Sequence, residues 1–338
     1  MQYRTLGRSG LLVSPICLGT MMFGGQADAA TAARIVAHAR DVGVNFVDTA
    51  DVYNAGESER VLGALVGADR DAWVVATKVG NPMGPGPNAG GLGRKWMMAA
   101  LDASLARLAM DHVDVWYLHR DDNATPYEEV VATIGDVIAA GKVRYWGLSN
   151  FRAWQVADMV HLADRLGVPR PVVAQPLYNA LNRMAEVELI PACLHYGLGV
   201  VPYSPLARGV LTGKYAPGAA PDPGTRAGRA DQRMMETEFR PESLEMAQAL
   251  KRHAEARSMD PAHLAVLWLL NNRAVTSVLA GPRSFEQWPP YLEALAHAYL
   301  PQDEAAVDAL VPAGHPSTPG YTDPRYPVAG RFPIVVAG

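Results

Sequence analysis

Four residues able to move protons stand behind, or inside, successive β-branched runs: Asp48 and Tyr53 after one run, Lys78 within the next, His119 ending a third. Lys78 sits in Val74-Val75-Ala76-Thr77-Lys78-Val79, where an unpaired ammonium among apolar side chains is costly, so a buried carboxylate such as Asp48 is its expected mate. A phenol beside that ammonium would have its pKa lowered from about 10, because the positive charge favours the phenolate. Tyr53 would then give a proton to a developing alkoxide near neutral pH, while His119 orients a carbonyl oxygen by a hydrogen bond. Each residue alone has a plainer use: a solvated lysine, a satisfied polar histidine, an Asp-Thr turn cap, or a structural ion pair of Asp48 with Lys78. Their coincidence at strand ends is what points to chemistry.

Bringing the four together requires strands whose carboxyl ends converge. Short β-branched runs alternate with longer stretches of helical period, which implies parallel strands joined by crossover helices. Strands are expected near Ile16 to Leu18, Asn45 to Asp48, Trp73 to Val79, Val113 to His119, Val143 to Ser149, Val172 to Pro176, Gly199 to Ser204 and Ser277 to Ala280. Thr125-Pro126-Tyr127-Glu128 reads as a capping box with Pro at the first helical position, followed by an apolar face of Val130, Val131, Ile134, Val137 and Ile138 and a stop at Gly141. A second helix starts at Asp260-Pro261 and buries Leu264, Leu267 and Trp268. Eight such units in about 280 residues fit an α/β chain folded as a closed (β/α)8 TIM barrel, since a doubly wound sheet usually has five or six strands. Residues 1–338 are read as one domain with an N-terminal β-hairpin, a barrel core about 15–297 and a proline-rich tail about 312–338 that wraps the surface.

Loops that follow barrel strands lie on the active face, so Asn81 to Gly93 and Ala216 to Arg240 are candidate covers for ligands. Met21, Met22, Phe23, Trp96 and Met234-Met235 are expected to form an adaptable apolar wall. Apart from Arg120, no basic cluster is evidently aimed at the pocket, which favours an apolar carbonyl over a heavily phosphorylated one. Met22, Phe23, Trp96 and Arg120 are the expected substrate contacts.

Asp48-Thr49-Ala50-Asp51-Val52-Tyr53, Ala76-Thr77-Lys78 and Tyr117-Leu118-His119-Arg120 closely resemble the aldo-keto reductase family, as do the stretches from Gly141 to Phe151 and from Pro202 to Tyr215. The likeness runs in order from about Tyr3 to Leu295. It implies hydride transfer from NADPH, with NADH the lesser alternative, to an aldehyde or ketone, with Tyr53 as acid, Lys78 and Asp48 tuning it and His119 positioning the substrate. It also implies that Ser149, Asn150 and Gln175 hold the nicotinamide carboxamide and that Tyr203 stacks on the ring. Ser204, Leu206 and Gly209 would lie against the pyrophosphate; Lys214, Gly281, Arg283 and Gln287 would hold the adenosine end, with Arg283 facing a 2′-phosphate. Tyr291, where the family often has Asn, and the adjacent Pro289-Pro290 depart from the pattern. No GxGxxG turn follows any strand, which independently disfavours a Rossmann dehydrogenase.

The bulk numbers narrow the alternatives. A chain of 338 residues, 49% hydrophobic and 19% charged, buries a large core, and a net charge of -4 with scattered Lys and Arg offers nothing for a phosphate backbone. Nucleic acid is therefore not an expected partner. Cys17 and Cys193 form no CxxC pair, which suits a reducing cytoplasm and no cysteine metal site. Of nine histidines only His119 falls at a strand end, against a metal-dependent barrel hydrolase or isomerase. The first residues lack the charged-then-apolar run of a signal peptide, and no stretch reaches the length of a membrane span. The rival reading is a nicotinamide-binding regulatory or redox-sensing subunit with little turnover, because relatives of this fold associate with membrane channels. Oligomeric state is left open.

Overall fold

A computed structural model describes residues 1–328. The strands in chain order are β1 (Arg4–Thr5), β2 (Leu12–Val13), β3 (Ile16–Gly19), β4 (Phe46–Asp48), β5 (Val74–Val79), β6 (Val113–Leu118), β7 (Val143–Ser149), β8 (Val173–Gln175), β9 (Gly199–Val200) and β10 (Val278–Ala280). The helices are α1 (Ala29–Asp41), α2 (Glu57–Val66), α3 (Arg94–Leu108), α4 (Tyr127–Ala139), α5 (Ala153–Leu166), α6 (Leu189–Tyr196), α7 (Gln232–Thr237), α8 (Pro241–Ala256), α9 (Pro261–Leu270), α10 (Pro289–Glu293) and α11 (Pro301–Leu310). Strands β3 to β10 are parallel, in the order β10-β3-β4-β5-β6-β7-β8-β9. The ring closes between its ends: Thr276 N donates to Val200 O at 2.9 Å and Leu279 N to Pro202 O at 3.1 Å. This is a (β/α)8 barrel.

Period two sorts the strand residues. Cys17, Phe46, Ala76, Val115, Tyr117 and Val173 fill the interior, while Ile16, Leu18, Val47, Val75, Trp116 and Leu148 pack outward against the helices. The same alternation turns Asp48, in step with Phe46, and Lys78, in step with Ala76, into the barrel. The ninth strand ends sooner than its sequence suggests because Pro202 has no N–H to give the ladder, although Val201 N and Tyr203 N still bond Ala174 O and Pro176 O.

The β1–β2 hairpin plugs the amino-terminal end of the barrel. Leu6 is fully buried, and Arg8 N donates to Gly197 O at 2.8 Å. Arg4 Nη1 donates to Leu270 O and Val275 O at 3.3 and 3.0 Å. Gly7 has φ +56°, and a Cβ there would lie 2.2 Å from Val172 O, so glycine is required at this closest approach.

One helix start differs from expectation. Thr125 does not cap α4: its N–H and hydroxyl both turn back to Asp122, at 2.9 and 2.7 Å, and Pro126 rather than Thr125 precedes the first helical residue. Asp122 satisfies the turn first, leaving Glu128 to reach Arg165 and Glu129 to accept from Arg94 N. The start at Asp260 is as the sequence suggests, with its carboxylate accepting from Ala262 N at 2.7 Å. The tail runs over the surface as far as it is described, and its residues 329–338 lie outside the described part. Among the described residues no helix is long and apolar enough to cross a membrane.

Candidate active site

At the carboxyl ends of the strands lies a cavity of about 740 Å³. Asp48, Tyr53 and His119 line it, and Lys78 stands beneath them, fully buried. The three N–H bonds of Lys78 are all assigned: to Asp48 Oδ1, to Thr49 O at 2.7 Å and to Tyr53 Oη at 3.2 Å. Since the phenol oxygen accepts from the ammonium, its own O–H is left to point onward. The second oxygen of Asp48 accepts from Gln175 Nε2 at 2.9 Å. Burial alone would depress Lys78, but Asp48 and Tyr53 together outweigh it and hold the ammonium above the ordinary lysine range.

The acidity of Tyr53 corrects an expectation. Burial is the larger influence, and with help from the Asp48 charge it outweighs Lys78, so the phenol lies above, not below, its usual value. His119 moves the other way: burial first, then the Lys78 and Arg120 charges, hold its imidazole well below the usual range and therefore neutral near pH 7. Its ring meets Tyr53 edge-on, centroids 5.8 Å apart, and its Nδ1 is buried without a partner among the described residues.

The next strand ends are tied to one another. Ser149 Oγ donates to Gln175 O at 2.9 Å, Asn150 Nδ2 to His119 O at 2.9 Å, and Tyr203 Oη to Asn150 Oδ1 at 2.8 Å. Beyond them the chain bends sharply: Ser204, Ala207, Arg208 and Gly209 all have positive φ. Gly209 stands where a Cβ would come 3.2 Å from Lys214 Nζ. Leu206, Lys214, Gly281, Arg283 and Gln287 line the far arm of the cavity, where Gln287 accepts from Arg283 N at 2.9 Å. Every proposed cofactor residue thus lies on this one cavity. Tyr291 lines it too, beside Pro290, at the start of α10.

The expected substrate wall is only partly there. Met21 and Met22 line the cavity with Val52 and Leu206, whereas Phe23 is fully buried in the core and Trp96 packs against the same core. Arg120 is turned to its neighbour Asp121 O, and neither it nor Met234 lines the cavity. An apolar residue just past a strand can turn inward or outward, and spacing alone does not distinguish the two.

The larger correction is electrostatic. Arg208, Arg226, Arg229 and Arg233 from the long loop after β9, and Arg325 from the carboxyl-terminal segment, all line the cavity, in addition to Lys214 and Arg283. Two of them are already paired, Arg226 with Asp231 and Arg233 with Asp323 and Glu236, and Asp48, Asp260 and Glu286 also line the cavity. Burial pushes the Tyr203 phenol above its usual range, with Arg208 and Arg233 opposing and Asp323 reinforcing the shift. The segment bearing Arg325 and Tyr326 is strapped down by Asp323 against Arg233 and by Arg152, which donates to Tyr326 O and Pro327 O at 2.8 and 3.0 Å. The visible signal was the density of arginine in a loop that must lie on the active face.

The model of the aldo/keto reductase family matches residues 15–312. A protein of Arabidopsis thaliana named as a probable voltage-gated potassium channel subunit beta is 41% identical over 286 residues, covering 83% of this chain and 87% of that one. An uncharacterized oxidoreductase of Bacillus subtilis, YrpG, is 38% identical over 300 residues, with 85% and 89% covered. The L-glyceraldehyde 3-phosphate reductase of Escherichia coli K12 is 34% identical over 315 residues, with 90% and 91% covered.

Proposed function

Because the chain belongs to the aldo/keto reductase family and is an NAD(P)H-dependent oxidoreductase, we propose that it reduces an aldehyde or ketone to the alcohol with NADPH, reversibly, Tyr53 being the acid. The observation that supports this best is the allocation of the Lys78 donors: the ammonium serves Asp48, Thr49 and the Tyr53 oxygen, which frees the phenol proton for a substrate oxygen. Lys78 then stabilises the phenolate left behind. Tyr53 holds its proton at pH 7, a requirement for an acid, and the nearby ammonium limits the cost of releasing it. Neutral His119, its Nδ1 enclosed, presents Nε2 to the carbonyl oxygen and fixes its position between the two rings.

The residues fit the cofactor the family implies. With its NH₂ given to Asp48, Gln175 offers a carbonyl oxygen to a carboxamide, next to Ser149 and Asn150. Tyr203, held through its hydroxyl by Asn150, presents a ring for stacking. Ser204, Leu206 and Gly209 would flank the pyrophosphate, with Lys214 and Arg226 supplying charge. Arg283 makes no ion pair among the described residues, and with Gly281 and Gln287 it would receive the 2′-phosphate, the basis for placing NADPH above NADH. When bound, the reduced nicotinamide supplies the hydride.

The arginines left over argue for an aldehyde or ketone that bears an anionic group, in place of the apolar substrate expected from sequence. Arg208 and Arg229 make no ion pair among the described residues and Arg325 only a 3.9 Å one with Glu236, and the relative named for a phosphorylated aldehyde is consistent with this class. Two unpaired, buried cysteines are compatible with a reducing cytoplasm. NADPH against NADH oxidation, followed at the nicotinamide absorbance across paired phosphorylated and neutral aldehydes, tests the proposal. Turnover is expected with NADPH and lost in Tyr53→Phe while NADPH affinity stays nearly intact; full turnover in that variant would remove Tyr53 as the acid. Tight NADPH binding without turnover on any carbonyl would favour the second reading, a regulatory subunit, which the relative named as a channel subunit supports.

A further inference from the structure

Behind the catalytic group lies a carboxyl that the reaction does not use. Asp51 stands between Asp48 and Tyr53 on the loop after β4, only 1% exposed, its main-chain N–H donating to Lys78 O at 3.3 Å. Neither of its side-chain oxygens has a hydrogen-bond partner among the described residues. The charged groups that face it are Glu59 from α2, Arg107 from α3 and Lys78 from β5. All three are already paired. Glu59 Oε2 accepts from Arg107 Nε at 2.6 Å and its Oε1 from Thr77 Oγ1 at 2.5 Å, while Lys78 is paired with Asp48.

Asp51 is therefore the odd acid among two buried ion pairs, with no side-chain donor to hold a negative charge and only the Val52 main-chain N–H near it. A buried carboxylate without donors is costly, and keeping the proton removes that cost. Burial and then the Glu59 charge push Asp51 up to about 7, with the Val52 main-chain N–H, Arg107 and Lys78 opposing. An anion at Asp51 in turn makes the Tyr53 phenol hold its proton harder.

We propose that Asp51 is a positioning residue that holds a proton in the working enzyme, and that its ionisation, acting on Tyr53 beside Lys78, gives the site a pH dependence of its own. The proposal rests on Tyr53 being the acid. Below neutrality Asp51 is uncharged and Tyr53 releases its proton more easily. Above neutrality the added anion slows proton donation to a carbonyl and delays the phenolate that alcohol oxidation needs.

The test is kcat/KM for carbonyl reduction and for alcohol oxidation from about pH 5 to about pH 10 in the wild type, Asp51→Asn and Asp51→Glu. Reduction by the wild type should show a step near pH 7 that Asp51→Asn lacks and Asp51→Glu restores. In Asp51→Asn the alkaline limb of oxidation should move about half a pH unit or more lower, the size expected on removing one nearby charge. A uniform loss of rate with an unmoved profile would mean that Asp51 only supports the fold, and would overturn the proposal. Infrared spectra give a readout independent of turnover: the carbonyl stretch of a protonated buried carboxyl should fade as pH rises through neutrality, shift in Asp51→Glu and be missing in Asp51→Asn. Identical spectra in all three proteins would equally overturn it. Activity surviving in Tyr53→Phe would instead bring down the underlying reading of the site, a result that these spectra would not change.

Discussion

Gln175 donates from Nε2 to Asp48 Oδ2 across the barrel at 2.9 Å, joining residues 127 positions apart and completing, with Lys78 on Oδ1, the enclosure of the Asp48 carboxylate. Gln175→Leu would leave one oxygen of a buried charge unserved. We expect a loss of roughly 1–3 kcal/mol, the usual cost of a buried group stripped of its partner. Urea midpoints of the two proteins measure it, and an unchanged midpoint would show that water or a neighbour replaces the amide.

Lys78→Met should be more damaging, by about 3–5 kcal/mol, because it leaves Asp48 charged and unpaired in the interior. The double variant Lys78→Met with Asp48→Asn should recover part of that stability, and no activity, since Tyr53 would still lack its ammonium. A thermodynamic cycle on the four proteins separates the two effects.

His119 should make the protein sensitive to acid. Its folded pKa is held well below that of the unfolded chain, about 6.5, so below that value the unfolded state binds more protons and stability falls with pH. The contribution is fully present above about pH 6.5 and is lost as pH drops towards the folded value. His119→Gln should flatten this limb between about pH 6.5 and pH 5. Parallel slopes of unfolding free energy against pH in the two proteins would assign the acid sensitivity elsewhere.

Arg325→Ala should separate substrates by charge. Its guanidinium is more than half exposed and 3.9 Å from Glu236, so its removal leaves the barrel intact. We expect KM for a phosphorylated aldehyde to rise about fivefold or more, with little change for a neutral aldehyde or for NADPH, as for loss of one charge-assisted contact. Equal effects on charged and neutral aldehydes would argue against an anionic substrate.

How far the sequence can be read differs between strand ends and loops. Asp48, Lys78 and His119 were accessible because period two in a parallel strand leaves few choices of direction, and the barrel then makes the ends converge. The strand positions followed for the same reason. Phe23 and Trp96 misled because an apolar side chain beside a mouth belongs equally well to the core beneath it. The cavity arginines and Arg325 were hidden because their places depend on a long loop and on a strap held by Asp323 and Arg152, contacts with no local period. Asp51 stands within a legible motif, yet its lack of partners is a property of three dimensions: α2 and α3 had to close over it before it became the unpaired acid.

The plug at the barrel floor has a consequence in time. Arg4, Gly7 and Arg8 leave the ribosome long before the groups they meet, Val172, Gly197, Leu270 and Val275, which are synthesised far later. The hairpin thus has no docking surface during most of translation, and it seals the floor only after the barrel has formed around its last strands. A segment fused ahead of the hairpin would therefore burden the end of folding rather than its beginning, and a nascent chain halted before Leu270 would carry Leu6 uncovered, a ready handle for chaperones.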